Sequence, residues 1–232
     1  MLGRQFRDNR APAFNVIADA LDRHAQVGGT VLDVGCAAGA FLQHLKPELW
    51  DRRGVEPSLR AVDLARVQGL NVQAGLLQDL RLESASIEAV TLIDVLAQLE
   101  EPRVVLAEMR RILVKDGVAL IEIPGYRWRM ITNAGLVTYI RWRCRSTLNP
   151  RDFVFFPNDR DIRRLFQATG FRLVETVDIP PNSYGSRRQR LAQRLYFIAA
   201  RATRRLTGGR IRLATKLLFV ARPTDRMPPT TL

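Results

Sequence analysis

VLDVGCAAGAF, running from Val31 to Phe41, is the stretch that decides the fold. An apolar, β-branched run enters a glycine-containing turn and leaves it as a helical pattern, so free backbone N–H groups and the positive end of a helix meet at one point. An anionic ligand group binds well at such a junction. Taken alone, Gly35-x-Ala37-x-Gly39 fits any nucleotide-binding turn, or a tight strand-to-helix connection with no ligand. It does not fit a dinucleotide, whose fingerprint asks for glycine at the first, third and sixth positions of the turn; here the third and sixth are Ala37 and Ala40. Side chains there obstruct the close backbone approach that a pyrophosphate requires.

Upstream of this turn, Ala11 to Gln26 reads as an opening helix with Phe14, Ile17, Ala18 and Leu21 on one face, stopped by Gly28-Gly29. Downstream, β-rich and helical runs alternate. Strands are predicted at TVLDVG (Thr30 to Gly35), RRGVE (Arg52 to Glu56), LNVQA (Leu70 to Ala74), AVTLID (Ala89 to Asp94) and VALIEI (Val118 to Ile123). Helices are predicted from Ala40 to Lys46, from Ser58 to Gln68 and from Pro102 to Val114, where Val105, Leu106, Met109, Ile112 and Leu113 form the apolar face. Strands spaced by helices imply right-handed βαβ crossovers and a mainly parallel sheet covered on both faces. The rhythm then changes. Residues 125–157 form an irregular insertion holding Tyr126, Trp128 and Trp142. A helix from Asp159 to Ala168 follows, ended by Gly170, and FRLVETV (Phe171 to Val177) and TKLLFVAR (Thr215 to Arg222) supply two more strands. The expectation is a doubly wound, seven-stranded α/β domain over residues 30–222, preceded by a helical segment, 1–29, and followed by a disordered tail, 223–232.

Length and composition agree: 232 residues with 47% hydrophobic and 25% charged side chains suit one α/β core with an appended segment. No apolar run approaches the roughly 18 residues of a spanning helix, and MLGRQFRDNR lacks the apolar centre of a secretory signal. A cytoplasmic location is therefore expected. Cys36 and Cys144 have neither metal-ligand spacing nor companions for a disulfide framework.

Glu56 ends the second predicted strand, beside the glycine turn, and is followed by Pro57. A carboxylate at that edge can accept hydrogen bonds from both hydroxyls of a ribose. In order, VLDVGCAAGAF, GVEPS, AVTLIDVLAQLEEP, LAEMRRIL, KDGVALIEIP and FFPNDRDIRRLFQATGF resemble the motifs of class I S-adenosylmethionine (SAM)-dependent methyltransferases, in their small-molecule and glycolipid-type branch. The resemblance runs from Val31 to about Val177 and implies a Rossmann-like sheet and SAM as cofactor. SAM carries a carboxylate where a dinucleotide carries a pyrophosphate, which suits the alanine-containing turn. Carried over by position, the resemblance puts Asp33 and the Gly35 and Gly39 backbone near the methionine end. It puts Glu56 on the ribose, Asp79 near the adenine and Asp94 beside the amino group, and it counts Cys36 and Pro57 among the cofactor-binding residues. Carboxylates suit a ligand with a sulfonium and an ammonium.

The sequence departs from the family at Ala37, where glycine is usual, and at Ala97 and Gln98, where Glu and His are common. Losing that His removes one general base, and His24 and His44 fall on predicted helices, so no catalytic base is assigned. Alignment of acceptor and sulfonium can still supply much of the rate. The implied activity is direct, in-line methyl transfer, to oxygen on a glycan, lipid-linked or small-molecule acceptor. An RNA methyltransferase and a non-catalytic interaction protein on the same fold remain alternatives.

The net charge of +13 is unevenly spread: Arg187, Arg188, Arg190, Arg194, Arg201, Arg204, Arg205, Arg210 and Arg212 lie between Asn182 and Leu213, where no acidic residue occurs. Within this segment, 182–213, Leu191, Leu195, Ile198, Ala202 and Leu206 recur at helical spacing. Three readings of this basic amphipathic helix stand open. It packs on the sheet with its arginines solvated, lies on an anionic membrane at the inner surface, or contacts RNA phosphates. The sequence shows no RNA-binding module. Similarly, the 125–157 insertion, placed near the ligand edge, is either an acceptor lid or a structural cover.

Overall fold

A computed structural model describes residues 2–125, 159–182 and 185–225. Among them, seven strands form one sheet: β1 (Thr30–Val34), β2 (Asp51–Glu56), β3 (Asn71–Ala74), β4 (Ile87–Ile93), β5 (Leu113–Pro124), β6 (Phe171–Ile179) and β7 (Lys216–Pro223). Their order is β3-β2-β1-β4-β5-β7-β6. The first five run parallel, and β7 is antiparallel to both of its neighbours. The helices are α1 (Leu2–His24), α2 (Ala40–His44), α3 (Leu59–Val67), α4 (Pro102–Ile112), α5 (Asp159–Ala168) and α6 (Arg187–Leu206).

Strands covered on both faces need apolar residues at consecutive positions, and β1 shows how they are used. Val31 packs in the layer of Ala13, Phe14, Ile17 and Leu21 from α1, whereas Leu32 packs with Leu106 and Met109 of α4 and Phe166 of α5. Burying each large side chain contributes roughly 1.5–3 kcal/mol, so α1 is part of the sheet's packing and not an appendage. The chain winds outward from β1 to β3 and then returns to place β4 against β1. That reversal opens a crevice at the carboxyl ends of β1 and β4, where doubly wound sheets bind ligands.

Most boundaries shift by one or two residues from those expected, and two differ more. Helix α1 begins at Leu2, well before Ala11, and continues through Pro12. Proline favours the first turn of a helix, which is why the pattern starts there; the preceding turns are held by side chains, with Arg7 donating to Gln43 and Arg10 to Asp94. Leu113, expected on the apolar face of α4, instead opens β5 and pairs with Ile87 across a bulge. The insertion holding Tyr126, Trp128, Trp142 and Cys144, and the tail from residue 226, lie outside the described residues.

Candidate functional site

At the end of β1 the backbone turns through left-handed conformations at Gly35 (φ 71°), Ala37 (φ 48°) and Gly39 (φ 76°). Glycine is required twice over at Gly35, because a Cβ there would come within 2.5 Å of Val95 Cγ2. The N–H groups of Gly35 and Cys36 both donate to Val55 O of β2, at 2.8 and 3.2 Å, and clamp the turn to the neighbouring strand. Ala37 is the departure from the family pattern, and it bears the left-handed strain that glycine would avoid.

Glu56, at the end of β2, spans the same turn. Its carboxylate accepts from Ala37 N (2.9 Å) and from Ser58 N (3.0 Å), so the turn and the start of α3 fix its position from both sides. Ser58 in turn caps α3, accepting from Ala61 N.

Two further carboxylates stand at the strand ends. Asp33 on β1 is buried, and its Oδ1 accepts from Thr91 Oγ1 on β4 at 2.6 Å. Burial raises its pKa to about 7; the Thr91 bond and Arg10 work the other way, while Glu56 and Glu122 add to the rise. Asp94, just after β4, sits at φ 60°. Its N–H donates to Glu122 O, and its own carbonyl accepts from Gln98 Nε2 at 2.6 Å, so the glutamine in place of the family's histidine braces the strained residue. Asp94 Oδ2 accepts from Arg10 Nη1 (2.8 Å) and pairs with Lys216 Nζ. Burial opposes ionisation of Asp94, but Lys216 and Arg10 outweigh it and hold the carboxyl below its usual range.

Arg10 Nη2 also donates to both carboxylate oxygens of Glu122 of β5, at 2.7 and 3.0 Å, and Lys216 at the start of β7 reaches Glu122 Oε1 at 2.9 Å. Two cations and two carboxylates thus close a charge-balanced cluster under the crevice, with Glu122 fully buried. Such a cluster survives burial only because each charge is paired.

Above it lies a cavity of about 1070 Å³. Among the expected ligand residues, Asp33, Gly35, Cys36, Glu56, Pro57 and Asp94 line it together. Cys36 turns its thiol into the core, close to Gly54, and burial raises its pKa, with Asp33 and Glu56 reinforcing the effect. Gly39 is not on the wall; it shapes the turn where a Cβ would press on Leu70. Asp79 is exposed on the one-turn helix Leu77–Asp79, and its neighbour Gln78 faces the cavity instead. The outer wall is made by Phe6, Leu76, Leu99 and Val104, with Gln98, Glu100 and Glu101. Neither histidine lines it: His24 pairs with Glu175 and His44 with Asn15. A smaller hollow, about 440 Å³, lies at the other end of the strands, by Asp51 and Asn71.

Arg10, Glu122 and Lys216 are not among the residues the sequence singles out. Their signal is a charge inside an otherwise apolar strand, as in VALIEI and TKLLFVAR. Arg10 gives none, because the pattern places it ahead of the first helix.

A family model described as a methyltransferase domain matches residues 6–176. The chain belongs to this methyltransferase family. It is a class I SAM-dependent methyltransferase by its sequence match and its sheet order. Solved structures share the fold. A chain of the complex between the Haloferax volcanii Trm112 methyltransferase activator and a methyltransferase is 18% identical, with a TM-score of 0.65, covering 97% of this chain and 95% of that one. A SAM-dependent methyltransferase from Thermotoga maritima is also 18% identical, with a TM-score of 0.59 and coverage of 95% and 94%. Geranyl diphosphate C-methyltransferase from Streptomyces coelicolor, solved with Mg2+, geranyl diphosphate and S-adenosyl-L-homocysteine, is 14% identical, with a TM-score of 0.58 and coverage of 90% and 80%. No curated protein matches the chain in sequence.

The methyltransferase site fits its cofactor chemically. Asp33 is a buried carboxyl that a cationic ligand would ionise, and Asp94 Oδ1 is a buried acceptor with no hydrogen-bond partner among the described residues. Carboxyls of this kind would suit the ammonium and sulfonium of SAM, and Glu56 would offer acceptors to ribose hydroxyls.

Proposed function

We propose that this methyltransferase modifies an oxygen of a neutral, hydroxylated acceptor: a glycan, a lipid-linked molecule or another small molecule. The observation that carries this reading is the charge and size of the cavity. Asp33, Glu56, Asp94, Glu100 and Glu101 face it with Arg10, so an anionic acceptor such as an RNA phosphate meets net negative charge on entry. At about 1070 Å³ the space exceeds what one drug-sized ligand needs, leaving room for a second molecule beside the cofactor.

SAM, when bound, supplies an electrophilic methyl group on a good leaving group. The remaining work is positioning. Phe6, Leu76 and Val104, each more than two-fifths exposed, offer an apolar seat for the acceptor body, and Gln98, Glu100 and Glu101 offer hydrogen-bonding groups for its hydroxyls. Glu100 and Glu101, on the cavity wall, would be the carboxylates to take a hydroxyl proton.

The test is transfer of a radiolabelled methyl group from SAM to a panel of neutral glycans, phosphate-free glycolipids and phenolic alcohols, with bulk RNA in parallel. Label on a hydroxylated neutral acceptor, reduced at least tenfold by Glu100→Gln/Glu101→Gln with SAM affinity unchanged, supports the proposal. Label on RNA alone overturns it.

A further inference from the structure

Helix α6 carries the greater part of the net charge, and its apolar stripe does not face the protein. Leu191 and Leu195 are each 58% exposed, Ile198 63% and Leu206 88%. With Ala202 they make a continuous aliphatic stripe along the outer face, because positions three, four and seven apart share one side of a helix. The inner face is occupied otherwise: Ala200 is buried, Tyr196 donates to Leu213 O, and Arg204 pairs with Asp178 at 3.1 Å. A helix that merely covers the sheet would turn Leu191, Leu195 and Ile198 inward. This one is attached by its polar and small residues and presents its aliphatic ones to solvent.

The charges are arranged around that stripe. Exposed Arg187, Arg194, Arg201 and Arg205 run along one border at helical spacing, and exposed Arg188 stands beside the stripe near the N-terminus. Between Asn182 and Leu213 no acidic residue interrupts the field. Ser186 and Gln189 form a capping box, so the helix has a defined start. Among the described residues no helix is long and apolar enough to cross a membrane.

We infer that α6 is an interfacial helix that docks the protein on an anionic lipid bilayer, with Leu191, Leu195, Ile198 and Leu206 in the headgroup boundary and the bordering arginines on lipid phosphates. Aliphatic centre and cationic border match that surface, which offers apolar depth and negative charge together. RNA offers phosphates, but it calls for a basic centre and exposed stacking rings. Here the centre is aliphatic, and Tyr196 and Phe197 are half-buried, with the Arg201 guanidinium 5.9 Å from the Phe197 ring. The chain leaving α6 leads to Lys216 of the charge cluster, so the docked helix is tied to the strand edge that forms the cavity. This inference is independent of the acceptor's identity.

The experiment is flotation of the full chain with vesicles of one part phosphatidylglycerol to two parts phosphatidylcholine, and with phosphatidylcholine alone. Wild type should float with the anionic vesicles only, and less at high salt. Leu195→Asp/Ile198→Asp should reduce that partition at least tenfold while SAM binding and thermal midpoint stay at wild-type values; both side chains are exposed, so the fold should tolerate the change. Arg187→Ala/Arg194→Ala/Arg205→Ala should weaken it as well. Absence of flotation overturns the inference, as does binding indifferent to the aspartates. So does a dimer that the aspartates split without any vesicle binding, which would assign the stripe to a second copy, or salt-sensitive RNA binding that they leave unchanged.

Discussion

Replacing Asp33 by asparagine tests the site through its electrostatics. The carboxyl is buried, and burial raises its pKa from the ordinary 3.8 to about 7. At 1.36 kcal/mol per tenfold change in acidity, holding it ionised in the folded protein without SAM costs on the order of 4 kcal/mol. The sign follows from linkage: the folded pKa lies above the unfolded one, so this group's contribution is fully present below 3.8 and is lost as pH rises through about 7. The amide of the Asp33→Asn protein cannot ionise, and its carbonyl can still accept from Thr91 Oγ1. Burying that amide costs about 1–3 kcal/mol, so the net gain for Asp33→Asn at pH 8 should be roughly 1–3 kcal/mol. That corresponds to a thermal midpoint higher by about 2–12 °C for a chain of this size. At pH 5 the gain should vanish. SAM binding should move the other way, since its cationic groups need the ionised carboxylate. Wild-type affinity should weaken between pH 7.5 and 5.5, and Asp33→Asn should bind weakly at every pH. Melting curves of both proteins at the two pH values, with calorimetric SAM titrations, supply every quantity. A less stable Asp33→Asn protein at pH 8, or wild-type SAM affinity flat across the range, would refute the reasoning.

Three other substitutions probe the neighbouring features. Glu56→Ala should lower SAM affinity at least tenfold by calorimetry, and should cost about 1–3 kcal/mol of stability because Ala37 N and Ser58 N lose their acceptor. Ala37→Gly should remove strain at φ 48° and leave the melting midpoint unchanged or the fold up to about 1 kcal/mol more stable, with SAM binding retained; a clear loss of stability would mean the methyl group packs usefully. Lys216→Met should destabilise by about 3–5 kcal/mol in chemical denaturation, since Asp94 and Glu122 lose a cation they share, whereas the joint Lys216→Met/Glu122→Gln change should recover part of that loss.

The parts of the fold that rest on local chemistry are legible in the sequence. A glycine turn between a β-branched run and a helix needs only neighbouring residues to be recognised, and Gly35, Glu56 and Asp94 stand at the strand ends where the alternation places them. Helix α5 and the stop at Gly170 follow from spacing alone. What stays hidden depends on partners remote along the chain. Arg10 acts through Asp94 and Glu122, and those contacts, not helix propensity, hold the turns before Pro12. The boundary at Leu113 is hidden for the same reason: its side chain continues the apolar face of α4, but its backbone pairs with Ile87. For α6 the sequence supplies the amphipathic pattern without its direction, because periodicity identifies a stripe and only packing tells which way it faces.

That direction matters for how one chain reconciles a net charge of +13 with a cationic cofactor. A uniformly basic protein would repel SAM from its own site. Here the carboxylates are gathered at the ends of β1, β2 and β4, where the cations that accompany them, Arg10 and Lys216, are committed to Asp94 and Glu122. The unbalanced arginines are placed on α6, where most of them meet solvent, while Arg204 of the helix and Arg212 beyond it answer Asp178. None of the α6 residues lines the cavity, and exposed charges are screened over about 10 Å at ordinary ionic strength, which favours separate action of the two fields. Under the proposed function and the docking inference, the acidic cavity would receive a cationic cofactor and a neutral acceptor, while the basic helix would meet an anionic surface. Raising the salt should therefore weaken vesicle docking far more than SAM binding; equal sensitivity of the two would mean that they share one electrostatic site.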